Sequence, residues 1–465
     1  MTHAKLEERI RELARIFQSN GRQLFLVGGS VRDRLLGRGI SDVDLTTDAV
    51  PEEVKALVSR VSPEALYLVG EKFGTVGLIF GKTKVEITTF RTESYLPLSR
   101  WPEVAFTGTL EEDLWRRDFT INAMAQDPLT DEIIDPTGGR QDLDRKVIKA
   151  VGEPGERFTE DPLRLLRAVR FAAQLGFTIE ENTARAICEQ ARMLSTVSAE
   201  RIGEETNRIL ISPHPGHGLR LTRELGLLDT VLPELLPMED VPQGPHGPKD
   251  ALGHVLTAVD KVRPLLDLRW AALLHDIGKP ATFSRDEAGI HFYNHQLVSA
   301  EMASGILSRL RLDRRTVGTV TRLARMHMRP VQYDGTWTDG AVRRLMMDAG
   351  ADLGKLMELA RADLLGHDGE DEETALAALA ELEARCLELS EQHDVPNLKS
   401  PLDGRELIHI LHRAPGPWVR QVKAYLLEQV LEGNLAQDDK AGAERLAREY
   451  AKTAFPVAPG ASDQA

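Results

Sequence analysis

Two aspartates two positions apart, Asp42 and Asp44 in Ile40-Ser41-Asp42-Val43-Asp44-Leu45, have a clear capacity for chemistry. Apolar and polar residues alternate there, so the stretch reads as a strand. Side chains two apart on a strand share one face about 6–7 Å apart, and two carboxylates so placed can share a cation. Mg²⁺ fits that arrangement, because it takes one or two protein carboxylates and leaves its other positions to water and phosphate. Upstream, Gly28 and Gly29 carry no side chains to keep backbone N–H groups from a polyphosphate, and Arg32 offers a bidentate phosphate partner. A second set, Asp161, Arg164, Arg167 and Arg170, recurs every three residues and forms one polar stripe. Such a stripe is either a solvated, ion-paired face or a reader of bases. In the second case the carboxylate accepts from an exocyclic amino group and the guanidinium donates to a ring acceptor. That pair selects cytosine and adenine, because uracil and guanine would present a carbonyl to the carboxylate.

The elements that must position these groups are short. Residues 24–27 are an apolar run, Gly28-Gly29 turns the chain, and 31–36 form one or two helical turns stopped by Gly37. After the aspartate strand, 51–58 read as a helix begun near Asp48, and 66–70, 75–80 and 84–90 as strands. Glu86 in the last strand brings a third carboxylate toward the metal face, unless it simply faces solvent. Residues 94–103, with two prolines, read as a loop. Residues 111–125 read as a helix on which Asp118 and Asn122, four apart, share a face. Asp161 followed by Pro162 reads as a helix N-cap.

The order GGSVRDRLLG followed by DVDLTTD resembles the head domain of class II tRNA nucleotidyltransferases, the CCA-adding enzymes and bacterial poly(A) polymerases. The resemblance implies a polymerase-β-like head in which Asp42 and Asp44 are catalytic and hold Mg²⁺, with Glu86 counted as a third catalytic carboxylate by its place in the strand. It implies nucleotide contacts from Gly28, Gly29 and Arg32. RRDFTINA matches the family's RRDFTxNA motif, which makes Arg117 a triphosphate contact, Asp118 a ribose or metal-side contact and Asn122 part of the nucleotide site. Glu160, Asp161 and Arg164 match its EDxxR motif, with Arg167 and Arg170 where the family binds triphosphate. The loop at 94–103 falls where relatives switch nucleotide choice, and VGEKFGTV, residues 69–76, looks like the tRNA-enzyme form of that strand pair rather than the poly(A) polymerase form.

Beyond a Pro/Gly stretch at 241–248, a third pattern resembles the HD phosphohydrolase superfamily. Its four ligands would map to His254, His275, Asp276 and Asp363, with His295 and His327 as additions, and the mixed N/O donors suit a transition metal such as Mn, Ni or Co. Residues 402–434 resemble the C-terminal body of tRNA nucleotidyltransferases.

Composition bounds these readings. A chain of 465 residues exceeds one hydrophobic core. Cys188 and Cys386 imply no disulfide framework, the first 17 residues are charged and amphipathic rather than a signal core, and no apolar run spans a bilayer. A cytoplasmic protein without a membrane or an obligate protein partner is expected. The net charge of −14 argues mildly against nucleic acid, yet Arg185, Arg192, Arg201, Arg208 and Arg220 leave room for a local basic surface.

The expected fold is α+β: a head at 1–145 with a small mixed sheet plus helices, followed by all-α parts. These are a neck at 146–240, an HD domain at 249–370, C-terminal helices at 371–455 and a disordered tail at 456–465. The expected activity is template-independent addition of CMP, AMP or both to the tRNA 3′ end from CTP and ATP. The alternatives are a poly(A) polymerase and an HD phosphohydrolase with an RNA-binding N-terminal half. An alarmone synthetase and hydrolase would place HD first.

Overall fold

The apolar residues of α1 (His3–Ser19), Leu6, Ile10, Leu13 and Phe17, fall on one helical face and are buried against β1 (Leu24–Val27) and its neighbours. This computed structural model describes residues 3–39, 42–68, 74–81, 83–94, 103–106, 108–242, 250–287, 289–365, 370–392 and 395–455. Gly28, at φ +64°, turns the chain from β1 into α2 (Gly29–Leu35), a conformation that disfavours any side chain. β2 (Asp42–Thr47) then returns antiparallel to β1, with Leu45 opposite Leu26. In α3 (Pro51–Val58) proline occupies the first turn and Glu53 accepts from the Val50 N–H at 3.2 Å.

β3 (Ala65–Leu68), β4 (Thr75–Phe80) and β5 (Thr83–Thr89) complete one side of a seven-stranded sheet ordered β3-β4-β5-β2-β1-β8-β9, where β8 is Ala125–Gln126 and β9 is Ile133–Ile134. β5 runs parallel to β2 and sets Glu86 opposite Asp44; the other neighbours are antiparallel. Val43, Leu45, Val85 and Ile87 are buried on one face of this pair, so the period of two sends Asp42, Asp44 and Glu86 to the other.

Two expectations need correction here. Residues 94–103 are not wholly loop: β6 (Arg91–Ser94) and β7 (Glu103–Phe106) pair as a hairpin, and 95–102 lie outside the described residues, as do 69–73 of the VGEKFGTV stretch. Nor is 111–125 one helix. α4 (Leu110–Trp115) stops because the Asp118 carboxylate captures the Phe119 N–H at 2.8 Å, Phe119 is extended, and only a single 3₁₀ turn follows at Thr120–Asn122.

α5 (Gly139–Asp144) and the short parallel pair β10 (Val147–Ile148) and β11 (Thr178–Ile179) lead into helices. These are α6 (Pro154–Glu160), α7 (Leu163–Leu175), α8 (Glu181–Gln190), α9 (Ala199–Leu210), α10 (Pro215–Glu224) and α11 (Leu228–Val231). α7 packs on α9 and α10. Helix α7 begins at Leu163 with Pro162 as its cap residue, so Asp161 stands one residue outside it, although its Oδ1 still accepts from the Leu163 N–H at 3.2 Å.

The chain divides into two compact units, Met1–Pro233 and Glu234–Ala465. The division falls shortly before the Pro/Gly stretch at 241–248, of which 243–248 lie outside the described residues, as does the tail at 456–465. The second unit holds α12 (Ala251–Lys261), α13 (Leu266–Leu274), α14 (Lys279–Thr282), a hairpin of β12 (Phe283–Asp286) and β13 (Gly289–Phe292), α15 (His295–Arg309), α16 (Arg314–Met326), α17 (Met328–Val331), α18 (Asp339–Ala349) and α19 (Leu353–Leu364). It ends with α20 (Glu370–Gln392), α21 (Gly404–Leu411), α22 (Trp418–Leu431) and α23 (Lys440–Ala454), the last three packed around Leu407, Val422, Leu426 and Ala447. Among the described residues, β10–β11 and β12–β13 are the departures from an all-α remainder. No described helix is long and apolar enough to cross a membrane.

Candidate active site and metal centre

Asp42 and Asp44 are exposed on the carboxylate face of β2, and the Asp44 N–H donates to Ser30 Oγ at 2.8 Å, which fixes this strand to α2. Asp44 lies where surrounding protein displaces water, which raises its carboxyl pKa; Asp42 adds to that rise, while Arg117 and Arg32 oppose it. Burial likewise raises Glu86, with Asp44 and Asp42 adding to the shift. A side chain at Gly28 would begin 3.0 Å from Arg117 Nη1 and 4.0 Å from Asp44 Oδ2. The glycine turn, an arginine and a carboxylate of the β2 face therefore meet at one point.

Behind that point the arginines are held in place. Arg32 is buried; it donates to Asn122 Oδ1 at 2.8 Å and to both oxygens of Asp33 at 2.9 and 3.0 Å. Asp118 accepts from Asn122 Nδ2 at 3.2 Å and from Arg167 at 2.9 and 2.5 Å. Asp118 and Asn122 thus meet, though across a turn rather than along a helix. Burial would raise the Asp118 carboxyl, but Arg167 overrides it and holds the group far below the usual carboxylate range. Arg117 donates to Asp113 Oδ2 at 3.2 Å.

The arginine stripe of α7 is no solvated face. Arg164 and Arg170 are each 7% exposed. Arg170 pairs with Glu205 at 2.5 Å and lies 4.0 Å over the Phe171 ring; burial lowers its pKa to about 10. Arg164 donates to Glu160 at 2.6 Å and to the Arg157 carbonyl at 3.0 Å, whereas Asp161 accepts from Arg201 at 3.1 Å. The Asp161 and Arg164 side chains have separate partners and do not bond each other, although the Arg164 N–H donates to the Asp161 carbonyl at 2.9 Å. Arg185, Arg192, Arg201, Arg208 and Arg220 are all exposed.

In the second unit, one ligand atom from each of His254, His275, Asp276 and Asp363 lies within 4.8 Å of the others, and Asp276, His295 and His327 form a second such group; all are buried. Asp276 belongs to both. Backbone carbonyls hold the rings: Nδ1 of His275, His295 and His327 lies 3.0, 2.9 and 2.7 Å from the oxygens of Ala272, Phe292 and Ala324, which turns each Nε2 inward. Burial opposes a charge on His275, yet Asp276 and Asp363 outweigh it and raise its pKa to about 10. Asp276 Oδ2 pairs with the buried Lys279 Nζ at 2.6 Å and lies 3.3 Å from His275 Nε2. Mixed N/O donors, inward Nε2 atoms and a demand for positive charge fit a transition metal.

The chain is 34% identical over 440 residues to the A-adding tRNA nucleotidyltransferase of Deinococcus radiodurans, a match covering 91% of this chain and 95% of that protein. The chain belongs to the tRNA nucleotidyltransferase family. Family models for the Poly A polymerase head domain, the probable RNA and SrmB-binding site of polymerase A and the HD domain match residues 24–149, 176–238 and 253–379. The CCA-adding enzyme of Geobacillus thermodenitrificans is 45% identical over 227 residues, 49% of this chain and 54% of that protein, so the chain spans about half the length of such curated relatives. The Bacillus stearothermophilus CCA-adding enzyme in complex with CTP superposes with a TM-score of 0.72 at 27% identity, covering 97% of this chain and all of that one. The poly(A) polymerase and stand-alone HD phosphohydrolase alternatives are not favoured by these relatives.

Several residues supporting the candidate site of the first unit escape a reading of spacing. Asp113, wholly buried, accepts from Arg116 at 2.8 Å and the Arg91 N–H at 3.3 Å as well as from Arg117. Phe171 lies beneath Arg32, Arg167 and Arg170. Glu205 and Tyr67 complete the group, and the Tyr67 ring covers the face of Gly77, next in the ladder to Glu86. The one available signal is Glu205, an acidic residue on the otherwise apolar face of α9.

Proposed function

We propose that this chain adds CMP, AMP or both to the 3′ end of tRNA without a template, consuming CTP and ATP and releasing pyrophosphate. The observation that carries the reading is the meeting of Arg117 and Asp44 at Gly28. The likeness to a CCA-adding enzyme that binds CTP supports the substrate class. Asp42 and Asp44, with Glu86 beside them, would hold Mg²⁺. The donors are all oxygen, and the crowding that raises Asp44 and Glu86 is what a divalent cation relieves. When bound, Mg²⁺ neutralises phosphate charge and favours the nucleophilic form of the 3′ hydroxyl.

The chain's own groups bind and orient. Backbone N–H groups at Gly28-Gly29 and the Arg117 guanidinium take the triphosphate; Arg32, clamped by Asp33 and Asn122, presents a fixed positive floor; Arg167 and Arg170 add charge from α7. The 3′ hydroxyl gives its proton to solvent water, its oxygen attacks the α-phosphorus, the bond from that phosphorus to the α–β bridging oxygen breaks, and the pyrophosphate leaves with its developing charge among these arginines. Asp161 and Arg164 read the amino group and ring acceptor shared by cytosine and adenine. The five exposed arginines between Arg185 and Arg220 hold tRNA phosphates. We place the reaction in the cytoplasm, which suits two unpaired cysteines. Asp42→Asn and Asp44→Asn should each abolish addition with little loss of tRNA binding; rates within about tenfold of the parent for both would remove the assignment.

The convergence of six buried ligand residues favours a second reading for the second unit, a metal-dependent phosphatase or 2′,3′-cyclic phosphodiesterase holding Mn²⁺, Ni²⁺ or Co²⁺. Asp276→Ala should abolish hydrolysis of 2′,3′-cyclic AMP and leave nucleotide addition unchanged. Hydrolysis that survives the substitution, or is absent from the parent with every metal, ends this reading.

A further inference from the structure

The outer face of α15 and α16 carries an open groove of about 930 Å³. Five of the side chains lining it are arginines, Arg311, Arg314, Arg322, Arg325 and Arg329, against one acidic residue, Asp348. The local sequence is equally one-sided. Residues 309–329 hold seven arginines, one aspartate and no lysine, in a chain whose net charge is −14. Two of the lining arginines are paired, Arg322 with Asp352 at 2.5 Å and Arg329 with Asp348 at 2.6 Å. Among the described residues Arg311, Arg314 and Arg325 are exposed and make no ion pair. Thr321 Oγ1 in the groove wall is buried without a hydrogen-bond partner.

The groove is elongated. A neighbouring hollow of about 470 Å³ shares Ser304, Thr321 and Arg325 with it and continues to Leu297 and Glu301. Leu297, Glu301, Ser304 and Ser308 lie on α15 at the helical repeat, so the trough runs for about 16 Å at roughly 1.5 Å per residue. On the same helix His295, Ser299, Ala303 and Ile306 are buried on the opposite face. The helix pair therefore stands between this trough and the histidine-aspartate centre, and its arginines do not serve that chemistry.

An open trough with planar guanidinium forks fits a run of phosphodiesters better than an enclosed mononucleotide. Its length accommodates several phosphates of one strand, at about 3 Å of axis per phosphate in a nucleic-acid helix. We propose that this groove binds the sugar-phosphate backbone of tRNA, a second RNA contact carried by the second unit and separate from the arginines of the first. The proposal rests on the reading of the chain as a tRNA-end enzyme. The unpaired Arg311, Arg314 and Arg325 supply most of the attraction, because no ion pair must break before they meet phosphate.

The test is the affinity of the full chain for fluorescent tRNA ending in CC, measured across a KCl series. In Arg311→Gln/Arg314→Gln/Arg325→Gln the dissociation constant should rise about tenfold or more near 0.1 M salt, and the slope of log affinity against log salt should flatten by roughly two to three. KM for tRNA should rise while kcat at saturating tRNA stays at the parent value, and the Arg→Lys triple variant should restore the slope. If the triple variant melts early, Arg314→Gln and Arg325→Gln singly, each flattening the slope by about one, carry the test. Affinity and slope equal to the parent's overturn the proposal. So does self-association of the parent that the variant abolishes at unchanged tRNA affinity, which would assign the groove to a second copy of the chain. A parent that neither binds nor extends tRNA overturns the underlying reading and the groove assignment with it.

Discussion

Asp118→Asn should destabilise the first unit by an amount the geometry sets. The parent carboxylate is 8% exposed and accepts from Phe119, Asn122 and two nitrogens of Arg167. Breaking one side of a fully buried ion pair costs about 3–5 kcal/mol. The Arg167 side chain keeps 32% of its surface open, so water recovers part of that and roughly 2–3 kcal/mol remains. At about 2–4 °C per kcal/mol for a unit of this size, thermal unfolding should fall by roughly 4–12 °C. The double variant Asp118→Asn/Arg167→Gln should lose less than the sum of the single losses, since the same interaction is removed once. The sign with pH follows from a carboxyl held below its ordinary value. Its stabilisation is fully present above the unfolded pKa of about 3.9 and is lost as pH falls through the folded value. The gap between parent and variant should therefore be constant from about pH 5 to 8 and close only in acid. A melting shift under about 1 °C, or a gap that changes between about pH 6 and 8, refutes the reasoning.

Two further substitutions probe separate links. Asp161→Ala should erode discrimination against UTP and slow CTP addition; equal slowing with every nucleotide would assign Asp161 to the link between α6 and α7 instead. Gly139→Ala should cost about 1–3 kcal/mol of stability, because the new methyl would lie 2.7 Å from the Thr120 carbonyl carbon and closer still to its oxygen; an unchanged melting temperature contradicts that packing.

What was legible beforehand was what local spacing controls. The strand, glycine turn, short helix and aspartate strand between Leu24 and Thr47 follow from alternation and from the absence of Cβ atoms at one turn, and the structure has them in that order. The α1 stripe likewise follows from helical spacing. Partners distant in the chain were not legible. A run of arginines every three residues reads as a wet face or a reader of bases, and only the arrival of Glu205 from elsewhere lets Arg170 sit inside, while Asp118 holds the half-buried Arg167. The helix expected through Asn122 fails for a local reason that spacing alone underweights: an aspartate can take the next N–H and end the ladder. In the second unit the first four candidate ligands come from a resemblance, whereas the sharing of Asp276 between two groups depends on how α12, α13, α15, α16 and α19 fold together.

The most direct measurement is incubation of the purified full chain with tRNA ending at the discriminator base, at C or at CC, with Mg²⁺ and CTP, ATP or both, followed by sequencing of the 3′ ends. The account predicts C or A added to at least one of the three, with UTP and GTP ignored. No extension of any of them under these conditions would contradict it.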